Sequence, residues 1–315
     1  MKKFFCLFLI LTLLTVPDLH GRHDSSEAKA YIGRTDLTEL FTRKNEDYPF
    51  ELVLPDWVRE SLTEMEIYEE IYKKVGIDLK EEVRLGRLFV KDGMYYINFK
   101  EKKIEKEIIR RQKRLYGFNL KSISLEDAYK IDGLNLEGFG LKEPHGLQYL
   151  INVNTINLSQ NKEIKDYRFL SNFTKIKSIF LNENNIVNIS FLANININLT
   201  DISLKNNSII DISILDRFKH LRILLLSNNQ ITSLKGLANL EKIEYLYVNG
   251  NPITLDGLKY ISELCYGKML IELHIDRKVF KEYGTKFALY PEFLQWVDRI
   301  YFVEDDGNVT EWYND

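Results

Sequence analysis

Five asparagines, Asn161, Asn184, Asn207, Asn229 and Asn251, follow one another at spacings of 23, 23, 22 and 22 residues, and their surroundings repeat with them. Three and five places before each stand aliphatic residues: Leu158 and Ile156, Leu181 and Ile179, Leu204 and Ile202, Leu226 and Leu224, Val248 and Leu246. Two places after comes another, Ile186, Ile209, Ile231 and Ile253, with Ile164 one step late in the first copy. A period of roughly 20–50 residues is the mark of stacked supersecondary units, so the repeat L-x-x-L-x-L-x-x-N-x-I restricts the fold more than any other feature. An earlier run, Leu134, Leu136, Phe139 and Leu141, has Phe139 where the asparagine belongs and reads as an atypical first coil.

Each part of the unit has a physical task. The Leu-x-Leu alternation makes a short strand with two side chains inward and one outward. One unit cannot bury its inward side alone, so neighbours must stack. Where the chain turns out of the strand, backbone groups are left inside the coil, and each costs roughly 1–3 kcal/mol if unpaired. A buried Asn carries both donors and an acceptor and can serve them. The other wall is marked by Leu147, Leu170, Leu192, Leu215 and Leu237, with Leu150, Phe173, Ile195, Phe218 and Leu240 three places on. An extra residue between Ile195 and Leu199 predicts a bulge on the convex side.

With this register, residues 131–276 resemble leucine-rich repeats of the short 22-residue class, similar to those of the bacterial internalins and of the phosphatase-regulator type. The resemblance implies an α/β fold: a curved leucine-rich repeat solenoid with parallel strands on the concave face. It also implies noncovalent binding of a protein partner, without catalytic residues or cofactors. The departures are the extra residue of the third coil and the stretch after Asn251, where Leu255–Cys265 predicts a helix and Leu270–Ile275 a strand lacking the ladder asparagine.

The register also names the outward strand positions, where a partner would touch. The central ones are Asn135, Asn157, Phe180, Ser203, Leu225, Tyr247 and His274, flanked by Thr155, Ser178, Asp201, Ile223, Tyr245 and Glu272. The early coils are polar. Phe180, Ile223, Leu225, Tyr245 and Tyr247 put apolar and aromatic groups on a face expected to meet solvent, and these five are the candidate protein-binding residues. Cover by a flanking domain or by the C-terminal tail is the alternative.

The flanks predict an α+β N-terminal domain over residues 22–130 and a small C-terminal cap over 277–315. After a polar leader, Asp36 predicts the cap of a short helix through Phe41, Tyr48–Leu54 is strand-like, and Asp56 predicts the cap of one helix running to Val75. Asp92-Gly93 between Arg87–Val90 and Met94–Phe99 is a hairpin signal. Lys100–Arg114 holds eight Lys/Arg against three Glu, with Ile104, Ile108 and Leu115 as a possible buried stripe. The interrupting glutamates favour a solvated helix face over a nucleic-acid site. Ser124 and Asp127 form a capping box. Further on, Pro291–Trp296 looks helical, and Arg299–Val303 with Val309–Tyr313 form a second hairpin whose acidic turn is ordinary turn chemistry rather than a calcium loop.

Lys2 and Lys3 before the apolar run Phe4–Val16 read as a secretory signal peptide over residues 1–21, the run being too short for the roughly 30 Å hydrocarbon core. Export is therefore expected, to a secreted, periplasmic or cell-surface location, with no stable membrane insertion after cleavage. Cys265 would then be the sole cysteine and a small core residue. With 43 Lys+Arg against 46 Asp+Glu, the net charge of -3 supplies no general attraction for nucleic acid, and none is expected as a partner. No metal-binding, nucleophile-elbow, phosphate-loop or dinucleotide motif is present, so an enzyme is not expected. The alternatives are an enzyme whose catalytic domain is residues 22–130, with the repeats recognising substrate, and an intracellular repeat scaffold.

Overall fold

The structure is a computed structural model describing residues 24–42, 51–265, 270–281, 297–304 and 306–313. The signal segment 1–21, the helix expected at Pro291–Trp296 and the side chain of Cys265 lie outside the described residues.

The N-terminal unit contains α1 (Ser25–Arg34), α2 (Leu37–Leu40), the strand pair β1 (Phe41–Thr42) and β2 (Glu51–Leu52), α3 (Asp56–Ser61), α4 (Glu64–Lys73), α5 (Leu79–Arg84), the hairpin β3 (Leu88–Lys91) and β4 (Met94–Ile97), α6 (Lys102–Tyr116) and α7 (Leu125–Tyr129). The supposed polar leader is in fact α1. Asp24 accepts the backbone N–H groups of Ser26 and Glu27, and Ala28 and Ile32 are buried. The single helix expected from Asp56 to Val75 is two, because Leu62 is extended and Thr63 starts α4 with a reciprocal capping box to Glu66. Asp56 does not cap α3; Pro55 holds that position, with no side-chain bond. In α6 the buried stripe is Ile104, Ile108 and Gln112, while Leu115 is 48% exposed. The helix runs past the core in its last turn and stops at Gly117, whose left-handed backbone closes the end.

The repeats supply β5 (Gly133–Asn135), β6 (Thr155–Asn157), β7 (Ser178–Phe180), β8 (Asp201–Ser203), β9 (Ile223–Leu225) and β10 (Tyr245–Tyr247), each parallel to the next. After α8 (Leu255–Leu258) and α9 (Tyr260–Cys265), the sheet continues through β11 (Leu270–Asp276) and β12 (Val297–Val303), both parallel, and ends in the antiparallel β13 (Val309–Tyr313). The strand order therefore follows the chain across nine strands.

The return walls are 3₁₀ turns rather than α-helices, at Leu147–Tyr149, Arg168–Asn172, Ser190–Asn194, Ser213–Arg217 and Lys235–Leu237. A 22-residue coil leaves room for little more than one such turn. Their leucines, from Leu147 to Leu237, are completely buried. The extra residue of the third coil is accommodated outward, with Ile197 52% exposed between buried Ile195 and Leu199.

Every ladder asparagine is buried, and each joins two coils rather than serving its own alone. The amide of Asn207 donates to the carbonyls of Leu204 (3.0 Å) and Lys205 (3.2 Å) in its coil and of Leu181 (2.9 Å) in the preceding one. Its Oδ1 accepts the N–H groups of Asn184 (3.0 Å) and Ile186 (2.9 Å). Asn161, Asn229 and Asn251 repeat the pattern. One position earlier lies a feature the aliphatic pattern does not show. Gly138, Gln160, Glu183, Asn206, Asn228 and Gly250 all have positive φ, between 55° and 71°. The chain must reverse there to bring the next residue inward.

One continuous core runs from Ala28 in α1 to Phe302 in β12. The N-terminal unit covers the open end of the first coil: Tyr72 donates to the Tyr149 carbonyl at 2.6 Å, and Asn152 donates to that of Tyr129 at 2.9 Å.

Candidate protein-binding face

Strand pairing sets two in-register rows on the concave side. One runs Gly133, Thr155, Ser178, Asp201, Ile223, Tyr245, Glu272, Arg299; the other runs Asn135, Asn157, Phe180, Ser203, Leu225, Tyr247, His274, Tyr301. Neighbouring strands lie about 4.8 Å apart, so each side chain leans on those before and after it. Phe180, Ile223, Leu225, Tyr245 and Tyr247 are accordingly partly buried rather than fully open to solvent.

The five do not form one patch. Phe180 is separated from Leu225 by Ser203, about 10 Å across two strand spacings. Ser203 is itself buried, its hydroxyl donating to Asn182 Oδ1 at 2.6 Å. Beside it, Asp201 accepts the hydroxyls of Ser178 (2.6 Å) and Thr200 (2.9 Å). This polar coil divides the trough into Phe180 on one side and Ile223, Leu225, Tyr245 and Tyr247 on the other.

Tyr247 is also held in place by its neighbours. Its ring stacks on His274 with centroids 3.7 Å apart, His274 stacks on Tyr301 at 4.4 Å, and Lys205 Nζ lies 4.7 Å from the Tyr247 centroid. Glu272, almost wholly buried, accepts the Tyr247 hydroxyl and the His274 Nε2–H (2.8 Å), and Arg299 stands 3.6 Å away. The neutral imidazole is thereby the Nε2–H tautomer. Burial holds His274 below the usual imidazole range against the opposing pull of Glu272, and burial likewise lowers Lys205. Register places Glu272 and His274 beside Tyr247, whereas Arg299 and Tyr301 arrive from a strand beyond the last repeat.

His145 and His220 are exposed and lie outside the two rows, leaving His274 as the histidine of the trough among the described residues. Among the described residues no group of three or more His, Cys, Asp or Glu could hold a metal ion. The acidic stretch after β12 is a hairpin turn: Gly307 takes φ +83°, and its N–H donates to the Glu304 carbonyl at 2.9 Å.

Repeat, asparagine ladder and curved parallel sheet together define a leucine-rich repeat solenoid. Residues 219–260 match the family model for leucine rich repeats in two copies. The chain is 29% identical over 110 residues to the human leucine-rich repeats and immunoglobulin-like domains protein 3, a match spanning 34% of this chain and 10% of that protein's length. Among solved structures it is similar to an internalin (inlF) from Listeria monocytogenes, at 24% identity and TM-score 0.49 over 59% of this chain and 54% of that one. Internalin C2 of the same organism is similar at 22% identity and TM-score 0.47, over 62% and 90%. No described helix is long and apolar enough to cross a membrane.

Proposed function

We propose that this chain is an exported protein that binds a protein partner noncovalently through the concave face of its repeats. One observation carries the reading: the strand face bears Phe180, Ile223, Leu225, Tyr245 and Tyr247 in a trough whose middle coils are walled by the hydrogen-bonded side chains of Ser178, Asp201 and Ser203. Leucine-rich repeats stack into concave surfaces of this kind, and aromatic residues in such places are enriched among binding hot spots. Side chains already leaning on their neighbours lose little freedom when a partner arrives, which favours affinity. The export part rests on Lys2, Lys3 and the apolar run Phe4–Val16.

The test is capture from envelope and host-surface extracts by the chain from Arg22 onward, beside a Phe180→Ser, Leu225→Ser, Tyr245→Ser variant. Tyr247 is left intact because its hydroxyl and ring hold the Glu272–His274 cluster together. A protein captured by the parent and lost by a variant of equal melting temperature supports the concave site. Equal capture by both places binding outside these strands and refutes it.

A further inference from the structure

At the end of the trough opposite the Tyr247–His274 stack, the first coil contributes Gly133, which has no side chain. A Cβ there would lie 3.3 Å from Nη2 of Arg111, so a guanidinium from α6 occupies the space that a repeat side chain fills elsewhere. Its ion pair with Asp132 is long, 3.8 Å, its side chain remains 26% exposed, and among the described residues it makes no hydrogen bond. The Arg fork is thus delivered to the concave face with its N–H groups uncommitted.

An open cavity of about 380 Å³ lies in front of it, bounded by Arg111, Asn135, Asn154, Thr155 and Phe180, with Asp132 at its margin. Asn154 and Thr155 make no side-chain hydrogen bond among the described residues, and Asn135 uses only its Oδ1, accepting from Glu137 N–H. The spare polar capacity is therefore mostly donor capacity, and it faces a space closed on one side by an aromatic ring. On the same helix Lys106, Lys113 and Arg114 form no ion pair among the described residues, while Asp132 in the lining and Glu137, which accepts from Asn157, are the carboxylates beside the cavity.

We propose that this cavity is a carboxylate subsite: an aspartate or glutamate of the protein partner docks on the Arg111 fork, and an adjacent apolar residue of that partner packs on Phe180. The proposal rests on the concave-face reading and deepens it. It also gives the basic helix a role, since α6 supplies an arginine to the end of the trough where the repeat strands carry none. Arginine suits a carboxylate because two parallel N–H···O bonds match its planar geometry. Asp132 does not fill that role at its present distance, and it is the group an incoming carboxylate must compete with.

The experiment is an NMR titration of the ¹⁵N-labelled chain from Arg22 onward with two blocked dipeptides, acetyl-Glu-Phe-amide and acetyl-Gln-Phe-amide. The Glu peptide should shift the amide signals of Gly133, Asn135, Thr155 and Phe180 and bind at least about fivefold more tightly than the Gln peptide. Arg111→Gln should remove that preference with the melting temperature unchanged, and Phe180→Ala should weaken both peptides alike. Should Arg111→Gln fail to fold, Arg111→Lys serves in its place, since it keeps the charge without the fork and should retain only part of the preference. Equal affinity for the two peptides, or a preference that survives Arg111→Gln, overturns the subsite. Shifts confined to Leu225 and Tyr245 also overturn it while leaving the concave-face reading intact, and that reading is decided separately by the capture experiment.

Discussion

At the scale of single residues, two neighbouring positions hold each coil together in opposite ways. The ladder asparagine is valuable for what it bonds, and Asn207→Ala would remove the hydrogen bonds to the Leu181 carbonyl and from the N–H groups of Asn184 and Ile186, while the carbonyls of Leu204 and Lys205 would keep those from Asn229 and Glu183. The expected loss is roughly 2–4 kcal/mol, measured by urea unfolding, and an unchanged midpoint would contradict the bonding described. The residue before it matters for its backbone. Glu183 sits at φ +58°, where a side chain costs roughly 1–2 kcal/mol against about 0.5–1 for the extra freedom of glycine when unfolded. Glu183→Gly should therefore stabilise by about 0.5–1 kcal/mol, readable as a rise in melting temperature. The asparagines are legible in the sequence because their spacing repeats. The reversal is legible at Gly138 and Gly250, whose residue type suits it, and hidden at Gln160 and Glu183, whose type does not.

At the scale of elements, the joints between neighbours are where charge and shape decide. Glu66 closes the start of α4 and also reaches α1 through Lys29 at 3.0 Å. Bonds from Thr63 first, then Lys29, hold its carboxyl at about 2. A carboxyl lowered on folding contributes stability above its unfolded value near 4.5, which is lost as the pH falls toward 2. Glu66→Gln should cost about 1 kcal/mol at neutral pH and flatten the acid limb of a stability–pH curve in that window. His274 works with the same sign for a different reason: burial lowers it, so the unfolded chain binds its proton more readily. Around it stand Glu272, Lys205, Arg299 and the rings of Tyr247 and Tyr301. Stability should fall as the pH drops below about 6.5, and His274→Phe, which keeps a ring in the stack, should remove that part of the slope in pH-resolved melting curves. The helix break at Thr63 was legible as Thr-x-x-Glu, yet the apolar pattern on either side runs on, and a local signature competes poorly with a long periodic one.

For the molecule as a whole, the N-terminal unit and the repeats form one buried interior. Tyr149 and Leu150 of the first coil are fully buried, with Tyr149 packed against Tyr72 from α4. A chain beginning at residue 131 should lose cooperative melting and self-associate, because it exposes that apolar end; circular dichroism melting and size-exclusion chromatography would show it. A soluble monomer with a sharp transition would mean that the first coil seals itself. The same continuity gives the trough two ends of different origin, Arg111 coming from the N-terminal unit and Arg299 and Tyr301 from the C-terminal strands.

The sequence by itself determined the repeat, its register, the inward leucines and the rows of outward positions, since a stacked solenoid turns a linear period directly into neighbouring places in space. Tertiary structure decided what those outward side chains meet. Tyr247 is gripped by Glu272 and His274 across coils, Ser203 divides the apolar groups, and Arg111 fills the space over a glycine 22 residues further along the chain. The register already sets the order of Ser203, Tyr247, His274 and Glu272 along the rows, but it does not record their bonds, and Arg111 comes from outside the repeats, so its placement depends on how the end of the sheet is closed.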